Sequence, residues 1–134
     1  MARGIVERQI AEAPVAIIDF ETTGLTPGAD RIVEVAVARV DAQGEVRLVL
    51  DTLVNPMRRV SATEIHGLTD ADVADAPRFA DIAGELVGAL SDCVVAAYNV
   101  YFDINFLNAE LFSVGVNHEP PHFCLMYLRR MLGQ

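Results

Sequence analysis

Asp19 and Glu21 stand two residues apart at the end of the apolar run Val15-Ala16-Ile17-Ile18, with Phe20 between them. Side chains alternate along an extended strand, so this spacing turns both carboxylates to one face. Two like charges at the rim of an apolar core repel each other and lose hydration. A hard divalent cation, which takes oxygen ligands, relieves both costs. Asp103 is a third candidate, four residues after Asn99, and both follow the apolar run 93–97. An Asp in the first turn of a helix is favoured by the helix dipole and needs no function of its own. If 93–97 is a strand beside that of Asp19, however, the three carboxylates surround one cavity, and magnesium or manganese suits such a lining.

The elements that must position these residues are readable from pattern. Pro14 opens a strand over 15–21, apolar enough to be buried on both faces. Gly24, Pro27 and Gly28 make 22–30 a loop. Strands over 32–40 and 45–54, joined by a turn at 41–44, complete an antiparallel meander. Ser61 and Glu64 have capping-box spacing ahead of a single turn carrying His66, closed by Gly67, and Thr69 to Asp72 repeats the signature. Pro77 suits the start of a helix whose apolar stripe is Phe79, Ile82, Ala83, Leu86, Val87 and Leu90. Gly84 and Gly88 lie in that helix, where they would permit close packing on the sheet. A short strand over 93–97 follows, then a helix over 102–114 with Phe106, Leu107 and Leu111 inward, and Gly115 as its cap. A brief strand at 123–124 precedes the start of another helix with Leu125, Leu128, Met131 and Leu132. The order predicts a mixed α/β domain over 14–134, preceded by a lead-in over 1–13. A right-handed crossover sets the fourth strand beside the first, which brings Asn99 and Asp103 to Asp19.

The 134 residues are 52% hydrophobic, enough for one domain with a real core. No apolar run approaches the roughly 18 residues of a membrane span. Cys93 and Cys124 are too few for a disulfide framework, and the absence of a secretory pattern points to a reduced, cytoplasmic protein. The net charge of −9 argues against broad electrostatic binding of nucleic acid. It leaves room for a nuclease whose carboxylates hold cations that face the phosphate.

Longer motifs sharpen this. Asp19-Phe20-Glu21-Thr22-Thr23-Gly24 resembles the first motif of the DnaQ-like, or DEDD, family of 3′–5′ exonucleases. Tyr98-Asn99-Val100-Tyr101-Phe102-Asp103-Ile104-Asn105-Phe106-Leu107 resembles its second. Ile65-His66-Gly67-Leu68-Thr69 resembles the His-Gly-Ile-Thr segment of the branch that contains the proofreading subunit of the bacterial replicative polymerase. The resemblance implies a ribonuclease-H-like fold and two-metal hydrolysis of DNA from a free 3′ end, with magnesium or manganese. It implies Asp19, Glu21 and Asp103 as metal ligands. It also implies Thr22 and Leu25 as the residues that hold and wedge the terminal nucleotide, and His66 near its phosphate or sugar. Asn99 either touches substrate or caps its helix. Glu34 is expected to be structural, and Tyr98 stands where the family commonly has His.

One part of the family pattern is missing. The third motif supplies a histidine general base and a final Asp, both from a helix after the fifth strand. His118 and His122 precede the last strand, and no Asp follows Asp103. Loss of the base alone removes roughly 10²–10⁴-fold in rate. The chain is therefore expected to be weak or inactive as it stands, with its C-terminal helix truncated, and to self-associate through an uncovered sheet face. Two other readings stay open: a non-catalytic exonuclease-fold domain that binds a polymerase or nucleic acid, and an RNA exonuclease.

Overall fold

The computed structural model describes residues 14–60, 66–117 and 120–125. The expected lead-in, the Ser61–Glu64 capping box and His118 lie outside the described residues, as does the final helix beyond Leu125. Among the described residues a five-stranded sheet runs in the order β3-β2-β1-β4-β5, built from β1 (Val15–Thr22), β2 (Ile32–Val40), β3 (Val46–Leu53), β4 (Val94–Ala97) and β5 (His122–Cys124). The first three strands pair antiparallel, as the short connections require. β4 lies parallel to β1, with Ile17 opposite Ala96, and β5 lies parallel to β4. This is the predicted ribonuclease-H-like mixed sheet.

Three helices complete the described fold: α1 (Asp70–Val73), α2 (Phe79–Leu90) and α3 (Val100–Ser113). The stripe Phe79, Ile82, Ala83, Leu86 and Leu90 of α2 shares one core with Val100, Ile104, Phe106, Leu107 and Leu111 of α3. α3 packs over β1, β4 and β5 and α2 over β2 and β3, in the core that includes Ala16, Ile18 and Phe20 of β1. Burial of such side chains contributes about 1.5–3 kcal/mol each and fixes the register of β1. α1 closes a smaller cluster of Val33, Val60 and Val73. Its N-cap Thr69 and Asp72 make the expected capping box.

Three expectations need correction. β1 is fully buried on one face only; Val15, Ile17 and Glu21 are half-buried and Asp19 is exposed. The run Val15–Ile18 is apolar, but its second face ends in carboxylates that stay in reach of water. α2 begins at Phe79 and not at Pro77, because the Pro77 carbonyl accepts the Asn55 N–H and Asp81 reaches back to the Arg78 N–H. Gly84 and Gly88 do not serve close packing, since a Cβ at either would meet nothing within 4 Å.

Candidate active site

The two carboxylates of β1 lie on the same face, as their spacing requires. Glu21 is opposite Glu34 across the antiparallel pair and Asp19 is opposite Ala36. At Thr22 the register slips, which ends the ladder and releases the chain into the loop 23–31. In that loop the Thr22 hydroxyl donates to the Gly24 carbonyl at 2.6 Å, and Leu25 stands 81% exposed.

Asp103 arrives from α3. The residue is 8% exposed, far from the solvated helix-start Asp that position alone would suggest. Burial pushes its carboxyl up to about 7. A backbone hydrogen bond from Phe20 opposes that shift, and the charges of Asp19 and then Glu21 reinforce it. The predicted convergence of β1 and α3 is thus visible at Asp103, which hydrogen-bonds the Phe20 backbone and whose proton affinity is raised by burial and by the carboxylates of Asp19 and Glu21. Glu34 joins the same field. Burial raises its pKa first, then Asp51, Glu21 and Asp19, while His66 lowers it.

His66 is half-buried and its Nδ1 accepts the Leu68 N–H at 2.9 Å, so the proton of the neutral ring is on Nε2. The ring lies close enough to Glu34 to influence that carboxylate, which puts it near the same end of the sheet as Glu21. Asn99 occupies the N-cap position of α3, yet its side chain makes no capping hydrogen bond; its carbonyl accepts from Phe102 N–H at 3.1 Å. Position, and not its side chain, makes it the cap. His122, in β5, meets Tyr101 edge to face at 6.0 Å.

The donors suit a hard cation: three carboxylate groups, the buried one with its pKa raised by desolvation and by its acidic neighbours. Among the described residues no three His, Cys, Asp or Glu side chains close into a preformed coordination shell.

Sequence pattern does not single out three further residues. Arg31, just before β2, forms a bidentate ion pair with Glu110 of α3, through Nε to Oε1 and Nη2 to Oε2. Glu110 is 2% exposed. Asp30 binds the loop at several points. The available signal is a Glu seven residues after Asp103, on the helix face of Leu107 and Leu111 where charge is rare.

The sheet order, with carboxylates at the end of the central strand and on the helix that follows β4, defines an α/β fold of the ribonuclease-H-like class. Residues 16–134 match the family model described as Exonuclease (RNase_T). The chain belongs to this exonuclease family. It is 38% identical over 124 residues to a DNA polymerase III subunit epsilon-like protein of Rhodobacter capsulatus, covering 86% of this chain and 18% of that protein. It is 36% identical over 95 residues to the DNA polymerase III subunit epsilon of Treponema pallidum, covering 69% of this chain and 44% of that one. E. coli exonuclease I in complex with a dA16 oligonucleotide superposes with a TM-score of 0.81 at 19% identity, over 91% of this chain and 30% of that one. The chain therefore spans less than half the length of these proteins, and the last likeness speaks for the fold alone.

Proposed function

We propose that the chain is a 3′–5′ exonuclease domain that removes nucleotides from single-stranded or frayed 3′ ends of DNA, dependent on magnesium or manganese. The observation that carries this is the placement of Asp103: it is buried on α3 and hydrogen-bonded to the backbone of Phe20, the β1 residue between Asp19 and Glu21. A bound divalent cation supplies Lewis-acid polarisation of the phosphate and a more acidic water. Asp19 and Glu21, projecting from a strand, and Asp103, from the first turn of α3, are the residues that would hold it. Asp103 must give up its proton to do so. Thr22 and Leu25 hold the terminal nucleotide, with Leu25 wedged against its base, and His66 and Asn99 flank it. Residues 14–134 act as the exonuclease-like domain, with 1–13 as its lead-in. The epsilon-related names of the relatives support a polymerase subunit as partner, and the two buried free cysteines suit the cytoplasm.

A second reading, a non-catalytic domain that keeps the fold for binding, draws support from the carboxylates not closing a shell among the described residues. One assay separates the two. A 5′-labelled single-stranded DNA oligonucleotide with manganese should give a slowly formed ladder shortened from the 3′ end, weak for want of the third-motif base and lost on Asp19→Ala. A ladder that survives Asp19→Ala refutes the carboxylate site. An intact oligonucleotide, with manganese still bound by the wild type, supports the binding domain. The same sequence in RNA, degraded faster, would transfer the proposal to RNA.

A further inference from the structure

The loop between β1 and β2 is governed by one side chain. The Asp30 carboxylate collects the Thr23 hydroxyl at 3.0 Å, the Thr26 N–H at 3.0 Å and the Arg58 guanidinium at 3.1 Å. It also lies against Gly24, where a Cβ would come within 2.6 Å of the carboxyl carbon. Glycine there lets the loop close down on Asp30. The base of the loop is tied again, since Thr23 and Arg31 exchange two hydrogen bonds, Thr23 N–H to Arg31 O at 2.8 Å and Arg31 N–H to the Thr23 hydroxyl at 3.0 Å. Arg58 donates as well to the Ala29 carbonyl at 2.6 Å, joining the loop to the segment that follows β3.

What the loop presents is Leu25, an apolar side chain turned out to solvent. So exposed a group is aimed by its backbone, and that backbone is aimed by Asp30. We propose that Asp30 is a positioning residue for the 3′-terminal nucleotide: its carboxylate fixes the loop so that Thr22 and Leu25 meet the substrate. This rests on the reading of Thr22 and Leu25 as nucleotide-holding residues. Every hydrogen-bonding neighbour of the carboxylate is a donor, so Asp30→Asn is a sharp probe. It keeps the shape but turns an NH₂ group towards another donor.

The test uses a single-stranded DNA oligonucleotide carrying 2-aminopurine at its 3′ end, with calcium in place of manganese, and reads affinity by anisotropy and unstacking of the terminal base by fluorescence. Leu25→Ala, Asp30→Asn, their double variant and Arg58→Met are compared with the wild type. Asp30→Asn should weaken binding about tenfold, as expected for loss of a charged hydrogen bond. It should abolish the fluorescence rise, as Leu25→Ala does, while leaving manganese affinity unchanged. The double variant should be no worse than the worse single, and Arg58→Met should show a smaller loss of the same kind. Wild-type affinity and fluorescence in both Asp30→Asn and Arg58→Met, with Leu25→Ala impaired, overturns the positioning role alone. Strictly additive losses do the same, because they make Asp30 and Leu25 independent. Wild-type behaviour in Leu25→Ala overturns the nucleotide-holding reading, and the positioning role with it. Should Asp30→Asn fail to fold, Arg58→Met decides in its place: an impaired variant supports the positioning role and a wild-type one overturns it.

Discussion

Replacing Arg31 by Met should destabilise the protein far more than a surface ion pair would suggest. Glu110 lies on the buried side of α3 with its side chain 3% exposed, and its carboxylate accepts both arms of the guanidinium. Exposed pairs contribute at most about 1 kcal/mol, whereas leaving one member of a buried pair without its partner costs roughly 3–5 kcal/mol. The Arg31 side chain is a third exposed, so water can reach the gap left by its removal and the lower end applies. A loss of about 3 kcal/mol, with an m value of about 1.5 kcal/mol/M, moves the urea midpoint down by about 2 M. Removing both charges, in Arg31→Met with Glu110→Leu, should return stability to within about 1 kcal/mol of the wild type, since two packed apolar groups replace a desolvated pair. Equilibrium urea unfolding of the two singles and the double closes the cycle. A single variant costing under about 1 kcal/mol, or a double as unstable as the single, would refute the claim that the pair is buried and coupled.

Asp103→Asn should change how stability depends on pH. The Asp103 carboxyl titrates near 7 in the folded chain against an ordinary 3.8, so the folded state holds a proton that the unfolded state has released between those values. Stability from this group is full below about pH 4, falls as pH rises to about 7 and is level above it. Thermal melts in EDTA at pH 5 and pH 8 should therefore favour the Asn variant at the higher pH, by about 1–3 kcal/mol after allowance for solvent contact. An equal response of variant and wild type to pH would contradict the burial of this carboxyl. Gly24→Ala should cost about 1–3 kcal/mol by urea unfolding, from overpacking against Asp30, and wild-type stability would show that the loop moves aside freely.

Much of this architecture is written in local pattern. The bounds of β2 follow from alternation between small and β-branched residues, and the Asp19–Glu21 geometry from a two-residue period. The convergence of Asp103 on Asp19 needs one more step, the handedness of the crossover into β4. What local pattern conceals is long-range. Glu110 and Arg31 are 79 positions apart, and nothing near either announces the other. Asp30 reads as an ordinary loop residue until its three donors are known. Helix signals set the start of α2 two residues early because the Pro77 carbonyl is spoken for by Asn55, a contact from just beyond β3 that no helix signal encodes. The second face of β1 is open to water because apolar composition says that a strand is buried, but not on how many sides.

The central claim, that β1 and α3 together hold one cation centre, is tested most directly by calorimetric titration of manganese at pH 8 into the wild type, Asp19→Ala and Asp103→Asn. The account predicts binding by the wild type, its loss in Asp19→Ala and clear weakening in Asp103→Asn. Equal binding by all three proteins would contradict it.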